Sequence, residues 1–268
     1  MYTPQELRNI TKELRTWIIE MITEAGSGHP GGSLSCIDIL SVLWLNEMKE
    51  KDRFILSKGH AVPALYAVLS KMGLLAKEEL KTLRKINSRL QGHPDRVRLP
   101  VLGASTGSMG QGLSVAQGIA LGFKIDKKPD SVFCLIGDGE SQEGQIWETA
   151  LSAPKFKLSN LCVILDNNNG QIDGYVSDVM PIEPITDKWR SFGWHVLDIP
   201  GHDFEKIIKA FQDARQLKEN GGTKPILIVA RTIKGKGVSF MENQIDWHGI
   251  APTKEVARKA VEEIEKNG

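Results

Sequence analysis

Two apolar runs that end in polar residues decide the fold: VFCLIGDG at residues 132–139 and LCVILDNNNG at residues 161–170. Each run has the length of one strand, and its lack of polar alternation is typical of a strand buried on both faces of a parallel sheet. Asn168 follows Asp138 by 30 residues, about the length of one strand–helix–strand unit. Because a right-handed crossover returns the second strand beside the first, both polar ends are expected at one edge of the sheet.

Apolar periodicity extends this pattern in both directions along the chain. The predicted strands cover residues 53–56, 132–136, 161–165, 194–198 and 225–230. The predicted helices cover residues 4–25, 35–48, 143–153, 184–192, 203–219 and 253–266, with two more inside 60–86. Residues 87–110 and 232–250 are predicted as long, functional loops. We therefore predict an α/β fold, a parallel β-sheet sandwiched by helices, with residues 1–268 forming a single domain.

Composition excludes several classes of function. The 268 residues carry a net charge of +1, which gives no electrostatic basis for binding nucleic acid or an anionic membrane. No apolar run reaches the length of about 18 residues that predicts a membrane-spanning helix, and the first residues lack the pattern of a secretory signal. The three cysteines, Cys36, Cys134 and Cys162, are too few and too far apart for a disulfide framework or a zinc site. We expect a cytoplasmic protein.

The two polar strand ends offer the oxygen ligands that Mg²⁺ prefers. The Asp138 carboxylate, the Asn168 amide oxygen and the Gly170 backbone carbonyl would leave coordination positions open for two diphosphate oxygens. Gly137 and Gly139 allow close approach of the backbone to an anion. The helix that follows directs its positive end toward the same place. The sequence therefore predicts a metal-bound diphosphate at this edge, with Ca²⁺ or Mn²⁺ as possible substitutes for Mg²⁺.

The spacing from Gly137-Asp138-Gly139 to Asn168 resembles the thiamine diphosphate motif, and the surrounding sequence resembles transketolase. The resemblance runs nearly end to end through six ordered blocks: SGHPG at 27–31, LSKGH at 56–60, GHP at 92–94, TGSMGQG at 106–112, DGESQEG at 138–144 and WHG at 247–249. It implies the thiamine diphosphate-binding fold, with thiamine diphosphate and Mg²⁺ as cofactors. Met109, where Leu is usual, and the third Asn, Asn169, are mild departures.

The resemblance also implies roles for four loop histidines. His29, His93 and His248 would face the reacting carbon and the sugar hydroxyls as catalytic residues, and His60 would touch the cofactor. Imidazoles with a pKa near neutrality suit hydrogen-bond donation and proton transfer at these positions. His195 and His202 lie outside the motifs and are interpreted as structural.

Further cofactor contacts follow from the same resemblance. The backbone at Gly107, Ser108 and Met109 would contact the aminopyrimidine, and Lys58 and Lys234 would flank the diphosphate. The remaining implied cofactor-binding residues are Gly139, Glu140, Glu143, Asn168 and His248.

Family transketolases are about twice as long as this chain, which ends near the end of their first domain. We therefore expect the N-terminal subunit of a split transketolase, with the pyrimidine-binding and C-terminal domains on a partner chain. The likeness implies an α2β2 heterotetramer that transfers a two-carbon ketol unit from a ketose phosphate to an aldose phosphate, as in the pentose phosphate pathway.

Three alternatives stay open on sequence alone. The motif spacing also fits a deoxyxylulose-phosphate synthase or the α chain of a 2-oxoacid dehydrogenase, although residues 57–60 and 106–112 favour transketolase. A split transketolase could act on an unusual sugar, such as a sulfo- or branched sugar. A thiamine diphosphate-binding protein without turnover is the third possibility. A nicotinamide enzyme is disfavoured because no Gly-x-Gly-x-x-Gly follows the first strand.

Overall fold

The computed structural model describes residues 1–267, which contain a five-stranded parallel sheet. Its strands are β1 Arg53–Leu56, β2 Val132–Gly137, β3 Leu161–Asn167, β4 His195–Pro200 and β5 Ile226–Arg231. Their order across the sheet is β1-β2-β3-β5-β4. The predicted parallel sheet is therefore confirmed. Because β2 and β3 pair in register from Val132 to Gly137, the two polar strand ends lie side by side.

Helices cover both faces of the sheet. They are α1 Pro4–Ala25, α2 Pro30–Val42, α3 Val62–Lys71, α4 Gln111–Ile125, α5 Gly144–Lys155, α6 Val176–Val179, α7 Ile185–Ser191, α8 Phe204–Glu219 and α9 Lys254–Asn267. One core layer joins the sheet to α1, α2, α3, α8 and α9, and the other joins it to α4, α5, α6 and α7. Among the described residues, no helix is both long and apolar enough to cross a bilayer.

Alternate residues of each central strand enter opposite core layers. In β2, Phe133 and Leu135 pack in the first layer, while Cys134 and Ile136 pack in the second. All six residues of this strand are buried. Burial on both faces explains why the sequence of the strand is continuously apolar rather than alternating.

The first helix has strong end signals. Thr3 accepts a hydrogen bond from the Glu6 backbone N–H at 3.2 Å, and Glu6 accepts one in return from the Thr3 N–H at 2.7 Å. Gly26 ends the helix with a left-handed φ of 63°. These reciprocal bonds satisfy backbone groups that have no partner within the helix.

Two predicted helices differ from the structure. Helix α2 starts at Pro30 instead of residue 35, because its two glycines serve close packing and not a turn. A Cβ at Gly31 would come within 2.9 Å of the Trp247 carbonyl oxygen. The second helix predicted inside 60–86 is a short 3₁₀ helix, Lys77–Thr82. Helix α3 ends at Lys71, and Gly73, in a left-handed conformation with φ 75°, turns the chain away between the two.

Helix α4 was not predicted. Its sequence contains Gly112, Gly118 and Gly122, which lower helix propensity. Gly112 is required by packing, since a Cβ there would lie 2.6 Å from Ser57 Oγ. Tertiary contact with the end of β1 therefore outweighs the local preference.

Packing of the second core layer predicts a large effect at Trp189. This side chain is fully buried and contacts Trp194 edge-on, with ring centroids 4.7 Å apart. Trp189→Ala should lower the free energy of unfolding by about 3–5 kcal/mol, measured by urea denaturation. Ile86→Ala, at a side chain 93% exposed, is the control and should change it by no more than about 0.5 kcal/mol. Equal midpoints for the two variants would contradict this packing.

Candidate functional site

A pocket of about 300 Å³ opens where β2 and β3 end at the carboxyl edge of the sheet. Parallel sheets bind ligands at this edge. The predicted site residues that line the pocket are His29, Lys58, His60, His93, Gly107, Met109, Asp138, Gly139, Glu140, Asn168, Gly170, Lys234 and His248. Ser108 and Glu143 are exposed and are not among the lining residues.

Asp138 lines this pocket and is only 2% exposed. Its Oδ1 accepts a hydrogen bond from the Gly139 N–H at 2.8 Å, and its Oδ2 accepts one from the Asn169 N–H. Burial and the neighbouring Asp166 raise the pKa of Asp138 to about 6. A cation beside this carboxylate would offset both effects, so the site suits a metal ligand.

The other two predicted metal ligands lie on the loop that follows β3. Asn168 Nδ2 donates to Ser35 Oγ at 3.2 Å, and its Oδ1 accepts from the Gly170 N–H at 3.0 Å. The Gly170 carbonyl accepts a hydrogen bond from Lys234 Nζ at 3.3 Å. One carboxylate, one amide and one backbone carbonyl thus line a single pocket.

Two buried lysines enter the same pocket, and their charges are balanced differently. Lys58 Nζ lies 2.5 Å from Asp166 Oδ2. Burial acts to lower the pKa of Lys58, but Asp166 outweighs it and raises the pKa above its ordinary value. Lys234 contacts the Gly170 carbonyl and His248 Nδ1. Burial and Lys58 lower its pKa to about 8. An anionic ligand would therefore gain most from Lys234.

Four histidine rings form a cluster in the pocket. The ring centroids of His29 lie 5.1 Å from His60, 5.6 Å from His248 and 6.4 Å from His93. Burial lowers the pKa of His29 to about 4 and that of His248 to about 3, and it also lowers those of His60 and His93. The rings are therefore uncharged at neutral pH. Each carries one N–H that can donate to an oxygen and one nitrogen that can accept.

The proton of His248 can be assigned from its neighbour. Lys234 Nζ lies 3.0 Å from His248 Nδ1 and is a donor when protonated. His248 Nδ1 therefore accepts, and Nε2 carries the proton. His248 is thereby held as a neutral donor at Nε2.

Glu140 acts as a clamp between the strand and a loop. Its buried carboxylate accepts hydrogen bonds from Ser57 Oγ at 2.5 Å, the Gly110 N–H at 2.8 Å and the Gly137 N–H at 3.0 Å. These bonds join the end of β2 to the loop 106–112. The loop carries Gly107 and Met109 into the pocket, whereas Ser108 faces outward, where its Oγ accepts from Gln111 Nε2 at 3.2 Å.

Several pocket residues were missed from the sequence. Gly32, Gln142, Gln171 and Ile172 line the pocket. Asp166 lies beneath it, fully buried, and it accepts hydrogen bonds from Ser35 Oγ at 2.6 Å and from Thr232 Oγ1. The sequence did contain a feature that could have identified Asp166, namely a carboxylate at the end of an otherwise apolar strand. A buried charge at such a position needs polar partners, so other functional residues are expected around it.

The sheet edge, its lysines and its histidine cluster fit a thiamine diphosphate-binding domain. Residues 7–264 match the family described as transketolase, thiamine diphosphate-binding domain. The chain therefore belongs to the transketolase family.

The named relatives form two groups, one of about the same length as this chain and one of more than twice its length. It is 42% identical to the 6-deoxy-6-sulfo-D-fructose transketolase subunit SqwG of Clostridium sp., over 98% of each chain. It is 39% identical to an apulose-4-phosphate transketolase subunit of Phocaeicola vulgatus, over 93% of this chain and 90% of that one. Human transketolase is 40% identical, over 97% of this chain but 42% of its own length.

Solved structures agree with this assignment. Transketolase from Campylobacter jejuni superposes with a TM-score of 0.91 at 35% identity. The match covers 99% of this chain and 43% of the Campylobacter chain. Transketolase from Leishmania mexicana gives 0.89 at 28% identity, over 99% and 42% of the two chains. The chain thus spans less than half the length of these enzymes.

The clamp at Glu140 yields a prediction about stability. Glu140→Ala leaves the N–H groups of Gly110 and Gly137 without an acceptor, which should lower the free energy of unfolding by about 2–3 kcal/mol. Glu148→Ala, at an exposed glutamate of α5, is the control and should have little effect. Denaturant titrations of both variants make the comparison. A Glu140→Ala variant as stable as the wild type would show that these bonds do not contribute to stability.

Proposed function

We propose that this chain is the diphosphate-binding subunit of a split transketolase that uses thiamine diphosphate and Mg²⁺. A partner chain completes the enzyme, which transfers a two-carbon ketol unit from a ketose phosphate to an aldose phosphate. The observation that carries the proposal is one pocket that combines three features. They are a buried carboxylate, a buried lysine that pairs with no carboxylate of residues 1–267, and four neutral histidines.

Asp138, Asn168 and Gly170 are the proposed metal ligands. They supply three oxygens of the hard type that Mg²⁺ binds, and two diphosphate oxygens and water would complete an octahedron. Ca²⁺ and Mn²⁺ accept the same ligands and are expected to substitute. The pKa of Asp138, raised by burial and by Asp166, supports a cation at this position.

The diphosphate is proposed to lie between the metal and the lysines, against Gly139. Gly170 lets the lysine lie close to the metal ligands, since a Cβ there would come within 2.6 Å of Lys234 Cδ. Lys234 is proposed to contribute its positive charge, because no carboxylate among the described residues lies at ion-pair distance from it. Lys58 contributes less because Asp166 already pairs with it. Glu140 is proposed to act through the backbone that it holds.

Thiamine diphosphate, when bound, supplies the carbanion and electron sink that break and form the carbon–carbon bond. The histidines supply donors and acceptors to the sugar. His29, His93 and His248 are proposed to bind its hydroxyl and carbonyl oxygens and to transfer protons at these oxygens. His248 would donate a hydrogen bond to these oxygens through Nε2. The low pKa values of the three histidines keep them uncharged. His29 and His93 can therefore each donate and accept at neutral pH, whereas His248, whose Nδ1 accepts from Lys234, can donate. His60 is proposed to contact the cofactor.

The partner is proposed to carry the pyrimidine-binding and C-terminal domains, in an α2β2 assembly. Two relatives that match this chain over at least 90% of their length are named as subunits. Two apolar side chains at or near the pocket are exposed: Ile172, which lines it, is 69% exposed, and Met180, whose carbonyl accepts a hydrogen bond from the pocket residue Gln142, is 57% exposed. Such side chains are typical of an interface. Glu143 and Ser108 lie on the exposed surface near the pocket, where cofactor contact would depend on the assembled enzyme.

Pentose phosphates are the proposed substrates, and a second candidate has a specific observation in its favour. The two relatives of similar length are named for 6-deoxy-6-sulfo-D-fructose and apulose 4-phosphate. A sulfo- or branched sugar is therefore the alternative. Both candidates are ketoses, so the same histidines are proposed to bind the oxygens at their reacting end.

Metal-dependent cofactor binding tests the role of Asp138. Asp138→Ala should abolish thiamine diphosphate binding in calorimetry with Mg²⁺ and the partner chain present, because the metal loses its only carboxylate ligand in this set. The circular dichroism spectrum should be unchanged. Asp187→Ala, at an exposed aspartate of α7, is the matched control and should bind as the wild type does. Undiminished affinity in the Asp138→Ala variant would refute the metal role.

Ketol transfer by the chain alone and with a C-terminal transketolase subunit tests the split architecture. The chain alone should show essentially no transfer, and the pair should be active with xylulose 5-phosphate as donor. Robust activity of the lone chain would refute the split. Activity of the pair only with 6-deoxy-6-sulfo-D-fructose or apulose 4-phosphate would select the alternative substrates. Cofactor binding by the pair without turnover of any donor would indicate a binding protein.

A further inference from the structure

A buried polar network outside the pocket connects three elements to the segment that carries Lys234. Its members are Arg15 on α1, Asp38 on α2 and His202 in the turn after β4. None of the three lines the pocket. We propose that they form a positioning network that holds residues 232–237, and therefore Lys234, in the geometry that binds diphosphate. This inference rests on the proposed function, because it assumes the diphosphate contact of Lys234.

The contacts run without interruption from α1 to the segment. Arg15 Nη2 donates to Asp38 Oδ2 at 2.8 Å, and Arg15 Nε donates to the Lys236 carbonyl at 3.1 Å. His202 Nδ1 lies 2.8 Å from the same Asp38 oxygen, and the Ile233 N–H donates to His202 Nε2 at 2.8 Å. The residues on both sides of Lys234 are thus bonded to the network.

The hydrogen bonds fix the tautomer of His202. Its Nε2 accepts a hydrogen bond from the Ile233 backbone, so the ring proton must be on Nδ1, where it is donated to Asp38. Arg15 and Asp38 are both buried, so water does not compete for these bonds. Burial acts to raise the pKa of Asp38, but Arg15 and His202 outweigh it and lower the pKa to about 2. Asp38 therefore remains a carboxylate at neutral pH and orients both donors.

Two more bonds hold the segment against the pocket wall. Thr232 Oγ1 donates to Asp166, which also binds Lys58. The Gly235 N–H donates to the Gly31 carbonyl at 3.0 Å. Gly235 has a left-handed φ of 77°, and a Cβ there would come within 2.3 Å of the Met241 carbonyl oxygen. Residues 242–243 also bond to the segment: the Asn243 N–H donates to the Lys234 carbonyl at 2.9 Å, and the Gly237 N–H donates to Glu242 Oε1 at 3.0 Å. The network adds the contacts at Ile233 and Lys236.

A lysine depends on such support more than a short side chain does. The four-carbon stem of a free lysine is flexible, but Lys234 is only 2% exposed and its stem packs closely against Gly31 and Gly170. Because the stem cannot rearrange in this packing, the position of Nζ follows the position of the backbone. Without His202 the Ile233 N–H loses its acceptor, and the segment can open locally. Groups that orient binding residues from behind commonly affect affinity without touching the ligand.

Hydrogen exchange of the full chain, followed by mass spectrometry, tests the positioning role without any ligand. In His202→Ala, exchange within residues 232–237 should accelerate by about tenfold, because a buried amide loses its acceptor. Ile207→Ala removes buried side-chain volume from α8 nearby without touching the network. It controls for general destabilisation and should leave that segment near the wild-type rate. His202→Gln keeps an acceptor for Ile233 and should recover most of the protection. Equal rates in the segment for His202→Ala and wild type, or equal acceleration in Ile207→Ala, would overturn the proposal.

Binding of inorganic diphosphate with Mg²⁺ separates this inference from the proposed function. If Lys234 binds diphosphate, Lys234→Met should weaken affinity, and His202→Ala should weaken it by about tenfold with recovery in His202→Gln. Loss of affinity in Lys234→Met but not in His202→Ala would overturn the positioning network alone. Unchanged affinity in Lys234→Met would refute the proposed diphosphate contact, while hydrogen exchange would still decide whether the network holds the segment.

Discussion

The buried carboxylate of Asp166 is the charge around which the pocket is built. It accepts hydrogen bonds from Lys58 at the end of β1, Ser35 on α2, Thr232 after β5 and, at 3.3 Å, Asn168 after β3. Burial acts to raise the pKa of Asp166, but Lys58 and these bonds hold it below its ordinary value. Removing one partner of a buried ion pair typically costs about 3–5 kcal/mol. One side chain thus joins four segments at one edge of the sheet.

The electrostatics of the pocket divide it into two ends. Near the strand ends, burial disfavours the charged forms of Asp138 and Lys234. A bound metal would stabilise the carboxylate and a bound anion would stabilise the ammonium, so this end suits a metal–anion pair. At the histidine cluster, burial removes charge and leaves hydrogen-bond donors and acceptors. A sugar offers neutral hydroxyl and carbonyl oxygens, so neutral imidazoles suit it better than cations.

The sequence predicted the parts of this arrangement that depend on local pattern. Apolar runs located the five strands, and the polar ends of β2 and β3 placed Asp138 beside Asn168. Parts that depend on tertiary contact were missed or misplaced. The glycines at the start of α2 and inside α4 resemble turn or breaker signals in sequence, yet they serve close packing against Trp247 and Ser57. His202 was correctly separated from the pocket, but its link to Ile233 requires knowing that α1, α2 and the turn after β4 meet.

The central claim is that this chain holds the diphosphate end of the cofactor through a metal. Its most direct test is a crystal structure of the chain with its partner, grown with thiamine diphosphate and Mn²⁺ and recorded for anomalous scattering. We expect one metal peak at coordination distance from Asp138, the Asn168 amide oxygen and the Gly170 carbonyl, with a diphosphate between that metal and Lys234. A metal peak away from these three oxygens, or a diphosphate bound elsewhere in the assembly, would contradict the claim.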